Sequence, residues 1–255
     1  MAHNHCWWCG APADSREHKY KRSDLIREFG SGPYAGPNAV SRILTGNETH
    51  PQGPNSNQFK FQNTICQKCN NERSQPFDSA YDQFVRYLKS NESNVLNIRS
   101  FDWSKIFGLK WEIGMLDVHR YYVKHICCRL AEDSFLIHPT LISFLDGNNW
   151  FAGLQFEAEV RADIAEALAW LRSEGLEDGA AWIGDIHYWI SKKTGVITDL
   201  ASFIGYRWLR VNYHYDLAIP SGLSNLASKI PSLSEARNMM PNDMPWVKDV
   251  NKRNV

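Results

Sequence analysis

The chain has 255 residues, and its 28 lysines and arginines offset 28 aspartates and glutamates, giving a formal net charge of zero. That balance excludes a histone-like global attraction to nucleic acid but leaves room for a local basic patch. No apolar run approaches the roughly 18–20 residues of a membrane span, and "MAHNHCWWCG" lacks the apolar core of a secretory signal, so a cytoplasmic chain with no membrane contact is predicted.

In such a chain the six cysteines are expected as thiols or metal ligands rather than disulfides. The first pair is Cys6-Trp-Trp-Cys9, followed by Gly10, which suits the positive φ that a tight metal-binding turn often needs. His3 and His5 precede it in a stretch expected to fray. "SREHKYKRS" follows and holds Glu17-His18 inside a basic run. An isolated Glu-His pair is an ordinary loop feature, and its placement downstream of a cysteine knuckle makes it informative.

Residues 30–58 are rich in Gly, Pro, Asn and Ser and read as an inserted loop, with His50 exposed in it. The second knuckle, Cys66-Gln-Lys-Cys69, is followed directly by Asn70. Two CxxC pairs can place four thiolates on one tetrahedral Zn²⁺ with Zn–S near 2.3 Å, roughly. A thioredoxin-like redox motif needs one such pair in a βαβ context, which is not the pattern here. The spacing between the knuckles exceeds the about 15–20 residues of compact zinc ribbons, so the intervening chain must loop out.

Apolar residues at Phe77, Tyr81, Phe84, Val85 and Leu88 predict a helix packed on the knuckles. Residues 91–102 read as a linker. From residue 103 to 255 a second α+β domain is expected, opening with two amphipathic helices. The first is "GMLDVHRYYVKHICCRLAE", whose adjacent Cys127 and Cys128 suit core packing. The second is "EAEVRADIAEALAWLRSE", with Val160, Ile164, Leu168 and Leu171 in one stripe. An antiparallel sheet is predicted over "AAWIGDIHYWIS" and "TGVITDLASFIGYRWLRVNYHY", with "KKTG" as a hairpin turn. Its aromatic side chains read first as sheet core and second as base-stacking platforms. The segment from Ala218 is expected to wrap the surface. The scattered histidines of this half read as structural, and its predicted role is to choose a target or a protein partner.

In order, CxxC, Glu17-His18, CxxC and Asn70 resemble the HNH (ββα-metal, treble-clef zinc finger) endonucleases, in particular the zinc-bearing branch that includes recombination endonuclease VII. The resemblance covers residues 6–90. It implies an α+β protein whose 1–90 unit is a zinc-bound treble-clef nuclease fold, with Cys6, Cys9, Cys66 and Cys69 holding a structural zinc. It further implies His18 as general base, and Glu17 and Asn70 as ligands of a catalytic Mg²⁺ or Mn²⁺, with Asn71 as the alternative to Asn70. The expected substrate is DNA, with RNA not set aside. Asn63 is the nearest candidate for the asparagine that props the catalytic loop in this family. Glu17 departs from the commoner Asp by one methylene. In extended backbone, adjacent side chains point to opposite faces, so His18 and Glu17 meet at one metal only if the strand bends. The rim residues Arg16, Lys19, Lys21, Arg22 and Lys68 are candidate phosphate contacts, as is Arg73, one helical turn beyond Asn70. Two other classes remain open: a non-catalytic treble-clef module that binds nucleic acid or protein, and a structural interaction protein with a vestigial finger.

Overall fold

Residues 5–36, 39–44, 46–148, 154–176, 178–193 and 197–216 are described by a computed structural model. His3, the Thr194-Gly195 part of the expected "KKTG" turn, and the segment from Ala218 lie outside them. The first knuckle is a tight turn in which the Gly10 amide donates to the Cys6 carbonyl at 2.9 Å, and Gly10 takes the expected positive φ, 76°. Residues 15–19 then run antiparallel to residues 59–65. Bridges pair Ser15 with Ile65 and His18 with Lys60, and the Phe61 amide donates to the Glu17 carbonyl at 2.9 Å.

The chain between these two runs opens with α1 (Arg22–Phe29). The expected insertion, residues 30–58, follows it and holds a small hairpin, β1 (Arg42–Leu44) with β2 (Asn47–Thr49). The second knuckle opens a π-type turn over Lys68–Arg73, in which the Ser74 amide reaches back to the Cys69 carbonyl at 3.2 Å. Such wide turns are uncommon and recur at functional positions. Helix α2 (Gln75–Ser90) continues from it, with proline in its first turn, where a missing N–H costs nothing. Phe77, Tyr81, Phe84, Val85 and Leu88 are all buried, as their spacing predicts.

The stretch expected as a linker contains α3 (Glu92–Ile98), and its Val95 is fully buried. Helix α4 (Trp103–Phe107) starts on Asp102, whose carboxylate accepts the Ser104 amide at 2.8 Å, an N-cap. Then come α5 (Trp111–Glu132), α6 (Pro139–Leu145), β3 (Leu154–Val160), α7 (Ala162–Ser173), β4 (Ala181–Ile183), β5 (His187–Ile190), β6 (Ile197–Tyr206) and β7 (Leu209–Asp216). The sheet is antiparallel in the order β3-β7-β6-β4, with β5 also paired to β6.

One predicted helix is corrected at its start. Leu154, Phe156 and Val160 point inward while Gln155 and Glu157 point to solvent, so this part has the two-residue period of a strand. The helical period begins only at Ala162, with Ile164 and Leu168 buried one turn apart. Cys127 and Cys128 are buried in α5, as expected. Tyr206, Trp208, Tyr213 and Tyr215 are core, whereas Tyr188 and Trp189 are exposed. No described helix is long and apolar enough to cross a membrane.

Among the described residues the main apolar core runs from Cys6 and Trp8 through Val123 of α5 to Trp208 and Tyr215 of the sheet, and a smaller one gathers Leu25, Tyr34 and Phe59. A polar clamp adds to it. Glu28 of α1 accepts from Arg207 at 2.5 Å, from the Tyr206 hydroxyl at 2.5 Å and from Lys89 at 2.9 Å. Arg207 sits at the tight β6–β7 turn with a φ of 51° and also meets Asp178 at 2.8 Å and Glu92 at 3.0 Å.

Removing one partner of a buried ion pair strands the other charge. Arg207→Ala is therefore expected to destabilise the fold by about 3 kcal/mol in urea unfolding, the low end of the usual range because Tyr206 and Lys89 remain on Glu28.

Acid stability offers a second check. Burial pulls His119 to about 4, and His125 to about 3 with help from Arg129. Between those values and the ordinary 6.5 the unfolded chain holds protons that the folded chain does not, so folding stability falls as pH drops through that window. Asp24, pushed up to about 6 by burial, works the other way, but its displacement from 3.8 is smaller than those of the two imidazoles together. The urea midpoint should fall steadily from pH 7 to pH 4.

Candidate metal centre and the adjoining acid–histidine strand

The knuckles meet although a long insertion separates them. The sulfurs of Cys6, Cys9, Cys66 and Cys69 all lie within 4.8 Å of one another, and Cys9 Sγ and Cys66 Sγ are 3.6 Å apart. Four sulfurs at about 2.3 Å from one tetrahedral ion would sit roughly 3.8 Å apart, so the cluster fits such an ion with little movement. The Cys69 amide points at Cys66 Sγ at 3.4 Å, and Arg73 Nη1 lies 3.9 Å from Cys69 Sγ.

The thiol chemistry agrees with the geometry. Cys9 is drawn down to about 7, chiefly by the Ala11 backbone, whereas burial drives Cys6 and Cys69 upward. Buried thiols of that kind become thiolates when a cation takes the proton's place, so loading releases protons. This set can hold a metal ion such as zinc, and four thiolates leave it no open position for water.

Glu17 lies on the strand beside this cluster and is buried. Its Oε2 accepts from Lys124 Nζ at 3.0 Å. Lys124 comes from α5, and its ammonium also meets Asp78 at 3.1 Å and Ser74 Oγ at 3.2 Å. Burial alone would lower the Lys124 pKa, but Glu17 and Asp78 outweigh it and hold the ammonium protonated. Asp78 is shared with Lys21 at 2.8 Å.

Asn70 sits in the π-type turn and is also buried. Its Nδ2 donates to Ser15 Oγ at 3.0 Å, its backbone carbonyl accepts from Ser74 Oγ at 2.6 Å, and its Oδ1 is buried without a partner. Asn71 and Asn63 are exposed.

His18 occupies the next position on the strand and, with extended pairing to Lys60, takes the face opposite Glu17. Burial, with Lys60 and Arg22 nearby, pulls it to about 4, partly opposed by a hydrogen bond to the Pro54 backbone. The imidazole is thus neutral near pH 7, and its Nε2 is buried with no partner.

The basic rim divides. Arg16 donates to the Phe61 carbonyl at 2.6 Å and to Asn57 at 2.8 Å. Lys19 pairs with Glu132 at 2.7 Å, and Lys21 is spent on Asp78. Arg73 pairs with Asp146 and lies over the Trp8 ring at 4.6 Å, while Trp8 Nε1 also donates to Asp146 at 2.7 Å. Those four cations are held in intramolecular contacts, although Arg73 is itself on the exposed surface. Arg22, bonded to Asn55 at 2.9 Å, and Lys68 are exposed as well.

Sequence reasoning missed Lys124, Asp78 and Asp146. A lysine within "YYVKHICC" was a faint signal, because a charge on a helix apolar on every side must find a buried partner. Compared with protein-family models, curated proteins and solved structures, the chain has no match.

Metal analysis of the purified chain should give one zinc per molecule. Cys66→Ser should abolish that stoichiometry and lower the thermal midpoint by more than about 5 °C, since one kcal/mol moves a chain of this size by about 2–4 °C. An unchanged midpoint would leave the cluster as four unliganded thiols.

Proposed function

We propose that the protein is an HNH-type nuclease that hydrolyses phosphodiester bonds in DNA, on a scaffold held by a structural zinc. The observation that carries this reading is a pair of buried polar atoms without partners, His18 Nε2 and Asn70 Oδ1, on the two elements that the thiol cluster anchors. Unpaired buried groups are rare enough to need an explanation, and a substrate-facing role is one. Trp7 Nε1, Thr64 Oγ1 and Trp208 Nε1 also lack partners, but none of these groups can take a proton from water at neutral pH, and the one other imidazole atom in this state, His125 Nδ1, belongs to a ring buried in α5 whose Nε2 is bonded to the Lys19 carbonyl at 2.9 Å.

In this reading, neutral His18 removes a proton from the attacking water. The water oxygen bonds to phosphorus, the bond to the leaving oxygen breaks, and that oxygen acquires a proton from solvent. Arg22 and Lys68 meet the phosphate backbone. Because Nε2 is buried, the chain that covers it must move aside for a nucleic acid to reach it.

The resemblance also calls for Mg²⁺ or Mn²⁺ on Glu17 and Asn70. Those residues do not fit it as they stand, because the Glu17 carboxylate is already paired with Lys124. The same pairing, with four of the six rim cations already in intramolecular contacts, favours a second reading: a non-catalytic treble-clef zinc-finger module that binds a nucleic acid or a protein partner and does no chemistry.

Incubating zinc-loaded protein with supercoiled plasmid, in Mn²⁺ and separately in Mg²⁺, separates the two. Nicking or linearisation is expected, reduced about 10²–10⁴-fold in His18→Ala with zinc content unchanged. Equal cleavage by the variant removes His18 as base, and a complete lack of cleavage by the wild type leaves the binding module.

A further inference from the structure

We infer that Lys124 is the resident cation of this site and occupies the place that a divalent metal would hold on Glu17. The inference takes from the proposed function only the identity of Glu17 as the site's carboxylate. Its test reads metal binding, so it stands or fails whether or not the protein cuts DNA.

An ammonium has three N–H donors. Those of Lys124 face three acceptor groups: Glu17 Oε2 at 3.0 Å, the Asp78 carboxylate at 3.1 and 3.2 Å, and Ser74 Oγ at 3.2 Å. Its hydrogen-bonding capacity is full. The separations are those of N–H···O bonds, whereas Mg²⁺ holds oxygen ligands at about 2.0–2.1 Å and keeps several waters. Both cations cannot share the Glu17 oxygen.

Charge leads to the same place. Lys21 lies 2.8 Å from Asp78 and 3.7 Å from Asp82, so Glu17 and Asp78 already face the ammoniums of Lys124 and Lys21. A dication added on Glu17 would sit against the ammonium of a lysine side chain that is only 1% exposed. Uncompensated buried charge is among the most costly features a protein can carry.

Lys124 also has nowhere else to go. It projects from the middle of α5, with Tyr121, Val123, Ile126, Cys127 and Cys128 buried around it. A retreat from Glu17 would leave the ammonium in that apolar surround.

The lysine therefore acts as a positioning residue. It fixes the Glu17 side of the strand that carries His18. Through Ser74, whose hydroxyl donates to the Asn70 carbonyl at 2.6 Å, it also ties down the turn that carries Asn70.

The test is a Mn²⁺ titration of the zinc-loaded full-length protein, followed by the electron paramagnetic resonance signal of free Mn²⁺. Wild type should show no saturable site. Lys124→Met frees Glu17, leaves Asp78 with its Lys21 ion pair alone, and should gain one Mn²⁺ per chain, lost again in Lys124→Met/Glu17→Gln. A wild-type site whose affinity drops at least 10-fold in Glu17→Gln overturns the inference, as does a folded Lys124→Met that still ignores Mn²⁺. Should Lys124→Met not fold, the ammonium ¹⁵N resonance of Lys124 in ¹⁵N-lysine-labelled wild type decides. A signal indifferent to Mg²⁺ supports the assignment, and one displaced in a saturable manner defeats it.

Discussion

The convergence of four sulfurs is the constraint on which the N-terminal part of the structure depends. Residues 6–9 and 66–69, separated by a long insertion, also meet through the Trp7 amide on the Thr64 carbonyl at 3.1 Å and the packing of Trp8 on Phe77, and the sulfurs add a point that one ion can lock. Once the sulfurs share one small volume, the strand after the first knuckle must pass beside the turn that follows the second. Glu17, His18 and Asn70 then lie on neighbouring backbone although their spacing in sequence is wide. A metal ion such as zinc would act as a cross-link in this arrangement, and its binding free energy would be folding free energy.

The cross-link does not make a free-standing finger. Trp8 and Arg73 reach Asp146 at the end of α6, and Lys124 of α5 closes the cluster around Glu17. The Glu28–Arg207 pair joins α1 to the β6–β7 turn. Helix α5 is the common wall: α2 packs along it on one side, and the sheet covers another part of the same core. The segment expected as a linker contributes buried Val95 to that core.

How much of this was legible in the sequence follows from the range of each interaction. The knuckles, the positive φ of Gly10 and the buried stripe of α2 depend on residues within a few positions of one another, and spacing reveals them. So do the antiparallel strands, which are rich in β-branched and aromatic residues. The start of α7 was misplaced because Val160 fits a helical stripe as well as a strand's inward face. The environment of Glu17 was hidden for another reason. Its partners, Lys124 and Asp78, are set by tertiary packing, and no local pattern joins residue 17 to residue 124. The intramolecular contacts of Arg16, Lys19, Lys21 and Arg73 were hidden in the same way, since a cluster of cations in sequence says nothing about which acceptors lie across the fold.

A buried ion pair is weak evidence for stability, because well-packed apolar residues of similar volume commonly stabilise a core as well or better. Lys124, Glu17 and Asp78 therefore call for a reason beyond holding α5 against α2. Apolar substitutes would fill the space yet would not set direction. An ammonium with three N–H bonds fixes the position of each acceptor to within a few tenths of an ångström. Here those acceptors lie on the strand of His18, on the end of the π-type turn of Asn70 and on the first turn of α2. The arrangement specifies the relative placement of the three elements that the thiol cluster only brings near, and that division of labour links the cysteines to the imidazole.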